Sequence, residues 1–287
     1  MINDNYWLVK YPKSTKEYHN VALSYTASPL SEYIGSHIYE ILGYDVHKTI
    51  LGIRNNKLVV ACKDFCENRG DLFEIRTLKN IYNEKLEKML EDAFESTGSS
   101  HIVQLKELLI HFKQNPVLSK VSGLKERFWE CVLIDGLINN NDRNNGNWGV
   151  LKTDEGVGYK LAPIFDNGAS FSNKHTDEKI QKILETSMEN HSTNVLTAYG
   201  KGDHHYNLSE LLNLDNIPEL EEAILKVVPL IKERMNIIEF FIQNIPAEYR
   251  GISVCSKIKK EFYCKGMEIR LEKLLIPAYE KAIIKQE

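Results

Sequence analysis

The chain has 287 residues, 43% hydrophobic and 26% charged, and its 36 Lys and Arg stand against 40 Asp and Glu for a net charge of −4. That composition suits a folded globular protein of one large domain or two lobes and excludes a disordered chain; its mild acidity argues against nucleic-acid binding over a broad basic surface. No apolar run reaches the roughly 18–20 residues needed to span a bilayer, no secretory leader is evident at the start, and the five scattered cysteines fit a reducing, cytoplasmic setting better than a disulfide framework.

Residues 5–11 (NYWLVKY) are aromatic and β-branched and stop at Pro12, which predicts a strand. Residues 12–28 are polar and predict a loop. A helix is expected from Pro29, with Ser28 as N-cap, Glu32 in the first turn and an apolar face of Ile34, Ile38, Ile41 and Leu42, ended by Gly43. The runs 46–53 and 57–65 flank Arg54-Asn55-Asn56, and paired Asn residues tolerate left-handed backbone, so a hairpin is expected. From residue 75 helical periodicity dominates, with candidate helices at 77–95, 101–113, 123–138, 176–187, 217–243 and 254–284. Trp148–Leu151 and Tyr159–Ile164 bracket a second hairpin. The change of texture divides the chain into a β-rich small lobe, 1–70, with a hinge near 62–66, and a mostly helical large lobe, 71–287. The fold class is α+β and bilobal.

Two segments carry chemistry: the loop 139–149 (NNNDRNNGNWG) and the segment 162–168 (APIFDNG). Asp142 is followed five positions later by Asn147, then by a hairpin, then by Asp166 in 164–168. This is the order of groups that phosphoryl transfer uses: a carboxylate beside the incoming hydroxyl, and an amide and a carboxylate oxygen that share Mg²⁺ on the triphosphate of ATP. Asp142 is the candidate catalytic aspartate, and Asn147 and Asp166 the candidate metal ligands. Lys10, mid-strand after Val9, is the candidate phosphate-binding lysine, and Glu32 on the following helix its ion-pair partner. Backbone groups of Cys62, Lys63 and Asp64 are the candidate adenine contacts. Each feature alone has a plain structural reading: an Asn-Gly turn, a surface Asp, a solvated strand Lys, a Glu favoured by a helix dipole. Only their joint order points to catalysis. Gly202-Asp203-His204-His205 reads as an exposed loop rather than a metal site, and Trp148 as a packing residue.

The stretches LVKYPKST, SPLSEYIGSHIYEILGY, ILGIRNNKLVVACKDF, LINNNDRNNGNWGVL and YKLAPIFDNG, over roughly residues 6–171, resemble the HipA-like serine/threonine kinases, and within them the CtkA-type branch. The resemblance implies a kinase-like fold, ATP with Mg²⁺ as donor, a protein Ser or Thr as acceptor, and the roles given above for Lys10, Asp142, Asn147 and Asp166. It also implies autophosphorylation in or near the small lobe, and either a toxin restrained by an antitoxin or an effector that acts on a host. Neither nucleic acid nor a membrane is an expected partner. Two departures stand out. Asn144 occupies a position where HipA-type loops commonly carry His. No glycine precedes Gly35, so the glycine-containing hairpin ahead of the lysine strand is missing, replaced (by 12–28, with Ser14, Thr15, Ser24, Thr26 and Ser28), or supplied by a small partner that completes the lobe. Rival readings are a nucleotide-binding pseudokinase dependent on a partner, and a small-molecule phosphotransferase.

Overall fold

In the computed structural model residues 5–14, 26–67, 70–87, 102–152 and 158–285 are described. Strand β1 (Trp7–Lys10) precedes helix α1 (Ser28–Ile41), and strands β2 (Thr49–Arg54) and β3 (Lys57–Lys63) form a hairpin closed by Asn55 and Asn56, both left-handed at φ 52° and 55°. The sheet order is β1-β3-β2, antiparallel throughout, with Lys10 opposite Val60 and Leu8 opposite Cys62. Helix α1 packs on this sheet, and its Leu30, Ile34 and Ile38 are buried. Ser28 is not its N-cap: Ala27 holds that position, Ser28 is already helical, and Glu32 lies past the first turn. Gly43, at φ 83°, closes the helix as expected.

Strand β4 (Asp71–Glu74) leads directly into α2 (Ile75–Glu87), and two further strands, β5 (Val103–Gln104) and β6 (Gly149–Lys152), flank α3 (Leu105–Gln114) and α4 (Leu124–Ile138) in the chain. β6 pairs antiparallel with both β4 and β7 (Tyr159–Leu161), which makes a second three-stranded sheet where only a hairpin was expected. Short strands paired across nearly 80 residues leave no local pattern, and β4 is hidden for that reason. α3 starts later than expected because Val103 and Gln104 pair in parallel with β8 (Leu196–Lys201). β8 turns at Gly202 (φ 56°) into β9 (His204–Asn207), so Gly202–His205 is a hairpin rather than a loop. His204 bonds Glu210, and His205 bonds the Thr197 carbonyl.

The remainder is helical: α5 (Asp177–Thr186), α6 (Met188–Thr193), α7 (Leu208–Leu212), α8 (Pro218–Gln243), α9 (Lys257–Arg270) and α10 (Ile276–Ile284), with a small hairpin of β10 (Glu248–Tyr249) and β11 (Ile252–Ser253) after α8. Thr176 and Ser256 cap α5 and α9 by accepting from the main chain of Lys179 and Lys259. The expected helix 254–284 is interrupted at Leu271–Leu275, which winds as a π-helix. α4 is buried on almost every side, from Leu124 through Ile138, and a helix apolar all round belongs at the centre of a fold. α8 lies against it and buries Ile224, Val227, Val228, Ile231 and Ile238. Phe112, Phe128 and Trp148 form an aromatic cluster beside α4, ring centres 5.2–5.8 Å apart, so Trp148 is a packing residue. Among the described residues no helix is long and apolar enough to cross a membrane.

Candidate active site

α4 ends at Ile138, and Asn139, left-handed at φ 54°, turns the chain out of the core into the loop that carries Asp142 and Asn147. β7 delivers Ile164, Phe165 and Asp166 back beside it, where Asp166 is left-handed at φ 60°, a conformation Asp tolerates better than most residues. β1 lies opposite. Its Lys10 Nζ bonds Glu32 Oε2 at 2.9 Å and Asp166 Oδ1 at 2.8 Å, so one ammonium ties three remote elements together.

Glu32 is 1% exposed. Its second oxygen, Oε1, accepts from the Asn167 main-chain N–H at 2.9 Å and lies 2.9 Å from His47 Nε2. Burial alone would raise the pKa of this carboxyl, but the hydrogen bond and charge of His47, with Lys10 and the Asn167 N–H, hold it well below the usual carboxylate range. Burial alone would lower Lys10, and the carboxylates of Glu32 and Asp166 reverse that and hold it above its ordinary value. Both groups are therefore charged at neutral pH.

A second layer lies beneath. Arg143 Nε and Nη2 clasp Asp135 on α4 at 2.8 and 2.9 Å, and Nη2 also reaches Asn167 Oδ1 at 2.5 Å. Arg143 Nη1 donates to the main-chain oxygens of Asn147 (3.0 Å) and Phe165. One buried guanidinium thus sets the backbone next to both candidate metal ligands. Asn167 Nδ2 donates to Ser36 Oγ on α1 at 3.1 Å, and Ser36 Oγ lies 3.1 Å from His47 Nε2. A Cβ added at Gly35 would lie 2.8 Å from Asn167 Cβ, so α1 meets this segment only because residue 35 has no side chain.

Asp142 stands at the surface of the cleft. Asn144 Nδ2 donates to its Oδ1 at 2.8 Å, while Asn144 Oδ1 accepts from Arg76 and from the Gly146 N–H. The Asn that departs from the family pattern is therefore an orienting group for Asp142. Asn147 Nδ2 donates to the Asp142 main-chain oxygen at 2.5 Å. The 40%-exposed carboxylate of Asp166 lines the cleft with Asp142, whereas Asn147 does not line it; an amide and a carboxylate oxygen are donors of the kind Mg²⁺ takes.

Lys10, Glu32, Asp142 and Asp166 line one cleft of about 980 Å³. Cys62, Lys63 and Asp64 do not line it. Cys62 is buried, and its thiol is pushed up to about 12 by burial and by the Glu32 charge. The N–H groups of Lys63 and Asp64 already donate to Lys48 and Tyr6 carbonyls. Glu32, His47 and Cys62 have potential metal-ligand atoms within 4.8 Å of one another, but the Glu32 oxygens are engaged by Lys10, His47 and Asn167 and the thiol keeps its proton. Strand alternation puts Tyr6 and Leu8 on the same face of β1 as Lys10, and both are exposed, Leu8 at 63%. The sequence reading missed His47, Ser36, Arg143, Asn167 and Leu8; it expected Asp135 near the mouth of the motif loop, where Asp135 holds Arg143. Only Arg143 and Asn167, each next to a motif residue, lay where a signal could have been found.

No family model matches the chain. It is 32% identical over 292 residues to the serine/threonine-protein kinase CtkA of Helicobacter pylori strain J99, covering 98% of this chain and 81% of that protein. It superposes on the crystal structure of a Helicobacter pylori proinflammatory kinase CtkA with a TM-score of 0.81 and 29% identity over 99% of this chain and 90% of that one. HipA of Shewanella oneidensis MR-1, solved in a toxin–antitoxin complex with HipB and operator DNA, matches in fold: TM-score 0.56 and 14% identity over 96% of this chain and 60% of that one.

Proposed function

The chain belongs to the HipA-like serine/threonine protein kinases of the CtkA type, and we propose that it transfers the γ-phosphoryl group of Mg-ATP to a protein Ser or Thr through Lys10, Asp142, Asn147 and Asp166. The observation that carries this reading is the placement of Lys10 between Glu32 and Asp166 at one wall of a cleft that also exposes Asp142. Phosphoryl transfer needs positioning and positive charge more than covalent help. Glu32, buried and anchored by His47 and Asn167, fixes the Lys10 ammonium, whose third N–H turns to a phosphate oxygen. Asn147 Oδ1 and the Asp166 carboxylate would hold Mg²⁺, which would supply charge neutralisation of the triphosphate. Asp142, oriented by Asn144, accepts the proton of the incoming hydroxyl. Tyr6 and Leu8 offer the adenine an apolar surface close to the 62–66 hinge, in a reading that takes 1–70 as the small lobe and 71–287 as the large lobe.

The segment 12–28 is the proposed cover for the phosphates. Thr15–Tyr25 lie outside the described residues. The ends of that stretch meet at the rim, where the Thr26 N–H donates to the Lys13 carbonyl at 2.9 Å. Lys13, Thr26 and Ser28 line the cleft, so of the candidate hydroxyls in this segment Thr26 and Ser28 are proposed for autophosphorylation. Control by an antitoxin or small partner, or an effector role, follows from the kinship alone.

Intact-mass measurement after incubation with Mg-ATP, with wild type beside Asp142→Ala, tests the transfer. Phosphate gain in wild type alone is the expected result. ATP binding with no Asp142-dependent phosphate on the chain, on protein or on metabolite acceptors would turn the reading to a pseudokinase. Gain on metabolites alone would make it a small-molecule phosphotransferase.

A further inference from the structure

A second groove, of about 860 Å³, opens between α1, β2 and the C-terminal end of α8. Helix α1 is a wall of both sites: Glu32 lines the cleft, whereas Tyr33, His37 and Ile41 line the groove. The His37 ring stacks on Phe241 of α8 at 4.9 Å and 11° and packs on Tyr33 at 4.2 Å, which joins the two helices. Ile237 and Phe240 of α8 and Tyr249 of β10 also line the groove, and they are 46%, 71% and 51% exposed.

The remaining wall is β2, the edge strand of its sheet. The Lys63 N–H donates to the Lys48 carbonyl, and antiparallel pairing repeats that pattern at every second residue, so Ile50, Gly52 and Arg54 turn their main-chain groups to β3. Thr49, Leu51 and Ile53 turn theirs outward, and among the described residues no strand pairs with them. All three line the groove. Sheet edges are commonly protected by a charge, a Pro or a bulge. The run Thr49–Ile53 (TILGI) has none of these, and its register to β3 is unbroken. Thr49 is 8% exposed, and its hydroxyl has no hydrogen-bond partner among the described residues.

A row of open N–H and C=O groups is matched by another extended main chain, and the apolar walls beside it by side chains at alternate positions of that chain. The six residues of β2 call for about 20 Å of it. Ile50, Ile237, Phe240 and Tyr249 together expose on the order of 400 Å² of apolar surface. Each partner of a stable dimer contributes roughly 800 Å², so the patch is too small for a second copy of the chain and fits a single segment. We propose that this groove is a docking site for a partner protein, which adds an extended apolar segment of about six residues to the β2 edge and sets alternate side chains into the groove. Binding there does not depend on phosphate transfer, although the segment lies against the helix that carries Glu32.

Random peptides of about twelve residues, displayed on phage and selected on the full chain with counter-selection on Phe240→Glu, provide the test. The expected winners alternate apolar residues and bind wild type at least tenfold more tightly than the variant. Phe240 is exposed, and Ile237→Glu serves in its place should Phe240→Glu fail to fold. N-methylation of alternate amides in a winning peptide keeps its side chains and removes its main-chain donors, and should weaken binding at least tenfold. On binding, hydrogen exchange at the Thr49, Leu51 and Ile53 N–H groups should slow at least tenfold, and much less at Ile50 and Gly52, which already bond β3. Failure to select any peptide that distinguishes wild type from the variant overturns the proposal. So do winners with apolar residues three and four apart that leave exchange at Thr49, Leu51 and Ile53 unchanged, since these dock as a helix. Slow exchange at those three N–H groups in the free protein overturns it as well, because the chain then covers its own edge. A concentration-dependent doubling of mass that Phe240→Glu abolishes makes the occupant a second copy, and overturns it too.

Discussion

Glu32 and Asp142 are both carboxylates of the candidate site, and they are held in opposite ways. Glu32 is 1% exposed, with Lys10, His47 and the Asn167 N–H around its two oxygens. Asp142 stands at the surface, and Asn144 Nδ2 orients its carboxylate. The same contrast separates the whole buried layer, Asp135, Arg143, Asn167 and Ser36, from the open groups that meet ligands. A buried charge must have its hydrogen bonds met by the protein, so it becomes a structural joint. A reacting carboxylate must stay reachable, so its loss is expected to change rate rather than stability.

The largest effect is expected from the buried layer. Asp135→Ala leaves the Arg143 guanidinium buried without its carboxylate, and breaking a buried pair from one side costs about 3–5 kcal/mol. For a chain of this size that is roughly a 10 °C fall in Tm, together with loss of phosphate transfer because Arg143 sets the backbone at Asn147 and Phe165. Thermal melts of the variant that match wild type within a degree would remove Arg143 from its role as joint.

Asp142→Ala reverses the pattern. The rate of phosphate transfer should fall by about 10²–10⁴-fold, the usual worth of a positioned acid–base group. Tm should move by no more than about 2 °C, because the residue is exposed. A variant that melts early as well as losing activity would show that Asp142 also supports the loop, and the contrast with Glu32 would narrow.

How much of this was legible in the sequence follows the same division. Asp142, Asn147, Asp166, Lys10 and Glu32 were singled out because phosphoryl-transfer chemistry asks for these residue types in this chain order, and the structure brings Lys10, Glu32 and Asp166 into direct contact. The Asn55-Asn56 hairpin and the span of α4 were readable from turn chemistry and continuous apolar residues. His47 and Ser36 were not, because a buried polar partner is chosen by proximity in space and carries no spacing rule. β4 and β5 failed for a related reason, since strands of four and two residues take their identity from partners far along the chain. Glu32 was found while its helix-dipole explanation was not upheld: it lies past the first turn, and its partners are Lys10 and His47.

Gly35→Ala tests the joint from the side of α1. A Cβ there meets Asn167 Cβ at 2.8 Å, and the neighbour is the first carbon of a side chain fixed by hydrogen bonds to Ser36 and Arg143. Overpacking of this kind costs about 1–3 kcal/mol. Because Asn167 donates to Glu32, the shift should also weaken ATP binding by a few-fold, read as a rise in KM for ATP with kcat less affected. An unchanged KM alongside the stability loss would confine the contact to packing.

The smallest expected effect comes from acid, and its sign separates buried groups from open ones once more. His111 is 0% exposed, its ring nitrogens lie near Asn83 and Asn115, and burial, with the nearby Lys79 charge, lowers it to about 4. The unfolded chain takes up that proton near pH 6.5, whereas the folded protein resists until about pH 4. The unfolded state therefore binds more protons between these values, and stability is full above pH 6.5 and declines as pH falls toward 4. From pH 7 to pH 5 the decline from this group is about 1–2 kcal/mol. His175, also lowered to about 4, adds to it in the same window. Urea midpoints for wild type and His111→Asn at pH 7 and pH 5 measure the difference directly. The variant should be less stable at pH 7 and lose less on acidification. Equal losses in both would assign the acid sensitivity to other groups and leave His111 as a neutral packing residue with no share in the slope.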